Sequence, residues 1–155
     1  MRKKQYEITD PAVIELILSG SEVCRIAMID NDRPYIVPMN YGYKNNVIYF
    51  HSADEGKKIG LLRANKKVCF EIEYFSEILK NEIPCDWSSK YRSVIGYGTI
   101  EFITDTEGKK EALDIIMAHY GKTGENIYKD SPLERVLILK LIIEEISGKE
   151  LGNWN

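Results

Sequence analysis

The stretch VIYFHSADEGKKIGLLRANKKVCFEIEYF, residues 47–75, decides how the rest of the chain is read. Its first seven residues, VIYFHSA, are β-branched, aromatic and small, which predicts a strand over Val47–Ala53. Gly56-Lys57-Lys58 then opens a short helix running to Arg63 and ending at Ala64-Asn65. From Lys67 to Phe75, Val68, Phe70, Ile72 and Tyr74 alternate with Cys69, Glu71, Glu73 and Phe75, the period of a second strand. The first backbone N–H groups of a helix have no partner within it and attract anions. Lys57 and Lys58 add full charges there, and Ser52 adds a hydroxyl donor, so the junction suits a terminal phosphate. No GxxxxGK[ST] loop is present. Asp54 and Glu55 leave a second reading open, since acids are ordinary first-turn residues of a solvated helix. His51 shares a face with Tyr49 and Val47; on its own it reads as a hydrogen-bonded structural histidine.

Before this stretch, Asp10-Pro11 predicts an N-cap with proline at the first helical position, and a helix to about Ser19 that stops at Gly20. Strands are predicted over Glu22–Asp30, Tyr35–Lys44 and Val47–Ala53. Asn31-Asp32 and Lys44-Asn45-Asn46 supply turn chemistry, so the three should form an antiparallel meander. Pro38 cannot donate to a ladder and marks an edge, bulge or interrupted pairing. Asn40 lies on the Pro38 face. A flat ligand lying along Val37, Pro38, Met39 and Asn40 and a bare barrel rim are both compatible with that stretch.

After it, residues 76–90 show no clean period and read as a loop. Tyr91–Ile103 reads as a long strand whose Gly96 and Gly98 share a face, a sign of a bend or a close approach. Asp105 is expected to cap a helix through His119-Tyr120, with Leu113, Ile116, Met117 and Tyr120 at helical spacing. Arg135–Ile146 is apolar on both faces except at Lys140, which predicts a central strand. The expectation is a mainly β, single-domain fold over residues 1–155. It would be a small barrel of about six antiparallel strands, Greek-key-like, with three peripheral helices.

Composition narrows the function. Of 155 residues, 44% are hydrophobic, enough for a core, and the net charge of -3 argues against a general nucleic-acid binder. No long apolar run predicts a membrane span or signal peptide. The three cysteines, Cys24, Cys69 and Cys85, are widely spaced with no CxxC, which disfavours a disulfide framework or zinc knuckle and fits a reducing cytoplasm. Two remote histidines make no metal site, and no GxSxG elbow occurs.

Three stretches in order, RPYIVPMNYGY, IYFHSADEGKKIGLLRANKKVCFEIE and WSSKYRSVIGYGTIEFI, together resemble the split-barrel flavin-binding proteins of the pyridoxamine-phosphate-oxidase type. More narrowly, they resemble the nitroimidazole-resistance group among them. The resemblance runs from about Ile8 to Gly148. It implies FMN at a homodimer interface, with the phosphate on Ser52, Lys57, Lys58 and the Gly56 turn. The ring would lie beside Val37, Pro38, Met39 and Asn40, with His51 near the cofactor as a candidate catalytic residue. Trp87, Tyr91, Arg92 and Ser93 would complete the pocket, from the same or the other subunit. Arg92 could balance negative charge developing on a reduced flavin. The oxidases proper carry an arginine-rich C-terminal segment, whereas this chain has no arginine after Arg135, so pyridoxal-phosphate synthesis is not expected. The implied function is an FMN-dependent reductase of small planar acceptors such as nitroaromatic compounds. With no GxGxxG motif, NAD(P)H would bind only transiently, over the flavin. The alternative is a flavin- or haem-binding carrier or sensor without turnover.

Overall fold

Two of the helices begin where an aspartate satisfies the orphan donors of the first turn. The Asp10 carboxylate accepts from Ala12 N at 2.9 Å and starts α1 (Pro11–Gly20), with proline in the first turn. The Asp105 carboxylate accepts from Gly108 N at 2.8 Å and starts α3 (Thr106–His119). The computed structural model describes residues 4–154, and the other elements follow from alternation. The strands are Glu7–Ile8 (β1), Cys24–Asp30 (β2), Arg33–Met39 (β3), Gly42–Lys44 (β4), Val47–Ala53 (β5), Lys67–Leu79 (β6), Ser88–Ile103 (β7) and Val136–Leu151 (β8). Two further helices are Lys57–Ala64 (α2) and Asp130–Arg135 (α4).

All pairings are antiparallel, in one eight-stranded sheet of order β3-β2-β6-β7-β8-β5-β4, with β1 added beside β8. Its inner side collects Ile26, Ile48, Phe50, Phe70, Ile72, Ile100, Leu139 and Leu141, all buried, under Ile59 and Leu62 of α2. β8 lies between β7 and β5, as its two apolar faces predict, and half-buried Lys140 is paired with Glu101 at 2.9 Å. β4 covers β5 only over Val47–Tyr49. The far half of β5 therefore faces β3 with no ladder between them. This gap is the split of the barrel, and α2 sits over it.

The close approaches expected at two glycines are present. A Cβ on Gly96 would lie 2.4 Å from the Phe70 ring, and one on Gly98 would lie 2.2 Å from the Ile142 carbonyl oxygen. The ladder shifts register beside Gly98, where β8 bulges near Glu144.

Several expectations are corrected. The predicted three-stranded meander does not form: β2 and β3 make one hairpin and β4 and β5 another, but β3 does not pair with β5. The predicted strand 35–44 breaks at Asn40-Tyr41 because the Tyr120 hydroxyl accepts from Tyr41 N at 3.1 Å and from Asn40 Nδ2 at 3.2 Å. Residues 76–90 are not all loop. Ser76–Leu79 pairs with Ser88–Tyr91, extending the β6–β7 hairpin into an arm. β8 runs to Leu151 rather than Ile146, and Arg135 belongs to α4, which sequence patterning missed. With β1 and β4 the strands number eight rather than about six, and there are four α-helices among the described residues.

The apolar surface left uncovered is not on β8. It lies on the outer face of β2, β3, β6 and β7, where Ile29, Ile36, Ile95 and Tyr97 are about half exposed. Ile36, Ala27, Cys69 and Tyr97 form one row across the four strands by register. Among the described residues no helix is long and apolar enough to cross a membrane.

Candidate functional site

The barrel split holds an open cleft of about 480 Å³ lined by Tyr35, Val37, His51, Ser52, Ala53, Glu55, Gly56, Lys57 and Lys58. β3 contributes one wall because its odd-numbered residues turn inward: Tyr35 and Val37 are half-buried and Met39 is buried, while Ile36 and Pro38 face outward and are exposed. β5 contributes the other wall. Ser52 shares the inward parity of Ile48 and Phe50, whereas His51 falls on the outer, exposed face. The floor is the start of α2.

This helix starts differently from α1 and α3. Its N-cap is Gly56, at φ 106°, with no side chain accepting from the first turn. That backbone conformation suits glycine, and a Cβ there would meet nothing within 4 Å. The N–H groups at the head of α2 thus have no side-chain cap, and open space stands before them. Arg63 Nη2 donates to the Asp54 carbonyl at 3.1 Å and ties the preceding turn to the helix body. Asp54 is exposed and does not line the cleft; Glu55 stands at its rim, also exposed.

The two lysines are not equivalent. Lys57 Nζ is 2.6 Å from Asp30 Oδ2 and 4.7 Å from the centre of the Tyr35 ring. The hydrogen bond it donates to the Asp30 carboxylate raises its pKa. Lys58 is half-buried, its Nζ donating to Met39 Sδ at 3.4 Å, and among the described residues it has no carboxylate partner. Burial lowers its pKa below the ordinary lysine value. A partly desolvated cation with only a thioether to bond is a strong attractor for an anion.

Of the residues singled out by sequence, Val37, His51, Ser52, Gly56, Lys57 and Lys58 come together in the cleft, with Met39 behind Lys58. The side chains of Pro38 and Asn40 do not join them. Pro38 sits on the outer face of the edge strand, and Asn40 Nδ2 donates to the Glu22 carbonyl and to Tyr120. Trp87, Tyr91, Arg92 and Ser93 lie elsewhere. Ser52 pairs with Leu137, beside the Ile103 end of β7, while Arg92 sits at the other end, roughly 35 Å of strand away at about 3.3 Å per residue. There Arg92 Nε donates to Glu150 at 2.8 Å, its guanidinium stacks 4.1 Å from the Trp154 ring centre, and Trp87 Nε1 donates to the Asn81 carbonyl. Tyr91 carries Lys149 over its ring at 5.4 Å.

Asp30 and Tyr35 are the site residues that sequence reasoning missed. The inward parity of Tyr35 with Val37 and Met39 was readable; the reach of Asp30 across the β2–β3 turn to α2 was not. His119 is structural: its Nε2 lies 2.7 Å from the Ser21 carbonyl, and its ring packs 4.5 Å from that of Tyr41. Among the described residues no cluster of His, Cys, Asp or Glu is arranged to hold a metal ion.

Residues 10–150 match the family profile of pyridoxamine 5'-phosphate oxidase. The chain belongs to that family. Within the pyridoxamine 5'-phosphate oxidase fold, it is similar to a solved structure from Bacteroides thetaiotaomicron described as a candidate 5-nitroimidazole antibiotic resistance protein. The two are 35% identical with a TM-score of 0.83, over 93% of this chain and 86% of the other. The flavocytochrome of Azotobacter vinelandii shares the fold at 18% identity and TM-score 0.84, over 99% of this chain and 72% of the other. A FAD- and haem-binding protein of Mycobacterium smegmatis shares it at 20% identity and TM-score 0.82, over 96% and 75%. An uncharacterised protein of Rhizobium meliloti (strain 1021) is 28% identical over 92 residues, covering 59% of this chain and 54% of its own length. The match thus spans about half the length of that curated relative.

Proposed function

We propose that the split cleft binds FMN by its phosphate, and that the protein is an FMN-dependent oxidoreductase reducing small planar acceptors of the nitroaromatic or nitroimidazole type. The observation that carries the reading is the head of α2: a glycine N-cap with no side-chain acceptor, beside a half-buried Lys58 with no acidic partner among the described residues. The residues fit the group. An anionic monoester would take the α2 N–H groups, Lys58 and the inward Ser52 hydroxyl, and its ring would extend along Tyr35 and Val37. The similarity to the Bacteroides protein supports the acceptor class.

When bound, a flavin would supply reversible two-electron chemistry, with electrons entering from a transient NAD(P)H and leaving to the acceptor. This chain's own residues bind and orient. Lys58 holds its proton because a neighbouring anion favours the charged form, reversing the effect of burial. β3 presents the backbone groups of a free edge, which Pro34 and Pro38 leave with fewer donors. His51 stands at the cleft rim with no hydrogen bond among the described residues, free to hold or move a proton at its ring nitrogens.

The functional unit in this reading is a homodimer. The half-exposed apolar face over β2, β3, β6 and β7 needs a cover, and the arm bearing Trp87 and Arg92 cannot reach its own cleft. A second copy would supply both.

The experiment is a visible spectrum of the purified protein, followed by anaerobic mixing with NAD(P)H and then a nitroimidazole. Flavin absorption that bleaches and returns supports the reductase. Flavin that never bleaches supports a carrier. A Soret band on haem titration that disappears in His51→Ala supports the haem reading, for which His51 is the accessible histidine.

A further inference from the structure

The Lys57–Asp30 pair lies at the mouth of the cleft and is not needed to build the fold around it. α2 is already anchored by Ile59 and Leu62 in the core and by the Arg63 contact. Lys57 is 54% exposed, whereas Asp30 is 27% exposed, so the acid is the better sheltered partner. Asp30 is the last residue of β2, before the Asn31 turn at φ 57°, and is held in place by its strand. Asn31 Nδ2 donates to the other carboxylate oxygen, Oδ1, at 3.2 Å. The lysine, on a flexible stem over the Tyr35 ring, is the partner free to move.

We infer that Asp30 is a specificity-determining residue that holds Lys57 in reserve, so that the head of α2 offers one uncommitted cation, Lys58, and one conditional cation, Lys57. The inference rests on the anion-binding reading of the cleft. A ligand with no charge at this end leaves the Lys57–Asp30 pair intact. A single negative charge is satisfied by Lys58 and the helix N–H groups. A dianionic phosphate monoester gains enough from a second cation to draw Lys57 off Asp30. The acid thereby competes with the ligand for Lys57 and weakens phosphate binding while sharpening discrimination for doubly charged groups.

The test is fluorescence titration of the protein with FMN and with riboflavin, which lacks the phosphate, at fixed salt. Asp30→Asn should tighten FMN binding about fivefold, the scale of one exposed ion pair, and leave riboflavin unchanged. In a Lys57→Ala background the same substitution should change FMN affinity much less, since the competed cation is gone. Asp30→Ser repeats the test should the asparagine variant fold poorly. FMN binding that weakens or stays the same in Asp30→Asn, with wild type binding FMN well, overturns the inference and leaves the flavin reading standing. A gain of equal size for riboflavin also overturns it. Wild type that prefers FMN to riboflavin not at all sinks the anion site and this inference with it.

Discussion

Basic side chains near the two ends of the β7–β8 ladder are in opposite states. At the Arg92 end, cations are spent within the chain: Arg92 is ion-paired with Glu150 and only 13% exposed, and both Arg92 and Lys90 lie over the Trp154 ring. At the Ile103 end, beside β5 and α2, Lys58 has no acid and Lys57 has one it can leave. The proposed function assigns ligand binding to the end where a basic residue lacks an internal partner or has one it can leave. In that proposal the arm is presented to a second copy and the split accepts an anionic group.

The largest effect should come from removing the uncommitted cation. Lys58→Ala should weaken FMN binding by roughly 10- to 100-fold, the loss of a charge-assisted hydrogen bond worth ~1.5–3 kcal/mol, with riboflavin affinity nearly unchanged. Equilibrium dialysis with both ligands measures the ratio. An equal loss for both would mean that Lys58 supports the ring or the fold. Arg92→Ala tests the opposite end. It should cost about 1–2 kcal/mol of stability in urea unfolding by stranding Glu150 and unstacking Trp154, yet leave the FMN-to-riboflavin ratio as in wild type. A collapse of that ratio would put Arg92 on the phosphate and erase the contrast between the ends.

Smaller effects sharpen the same contrast. Gly56→Ala should cost about 1 kcal/mol, because the residue sits at φ 106° where a side chain is strained although space is free. It should also lower FMN affinity by tilting the first N–H groups. Capping variants at α1 or α3, such as Asp10→Ala, should lower stability by a similar amount without touching flavin binding. The smallest effect is in pH dependence. Burial sets the folded pKa of Lys58 below its unfolded value, so between the two the unfolded chain binds more protons and stability rises with pH. Comparing ligand-free wild type with Lys58→Met should show that rise in wild type alone. Saturating phosphate should remove it.

Much of this was legible in the sequence, for physical reasons. Strand β5 and helix α2 were readable because a sharp change of period, from β-branched alternation to GKK, coincides with a real junction. The Asp10 and Asp105 caps were readable because capping is a contact two or three residues long. What escaped depends on distant partners. The break at Asn40-Tyr41 is made by Tyr120, eighty residues on, and the arm over Ser76–Leu79 exists because its partner strand begins at Ser88. The pairing of Asp30 with Lys57 likewise joins two segments whose proximity comes from the sheet order. The lysine pair was visible as charge; that one lysine is committed and the other is not was visible only in three dimensions.

The central claim, that the head of α2 receives a phosphate, is tested most directly by 31P NMR of FMN titrated with the protein. The phosphorus resonance of FMN is expected to shift and broaden with wild type and to return toward its free position with Lys58→Ala. A flavin whose visible spectrum changes on binding while its phosphorus signal stays sharp and unmoved would contradict it.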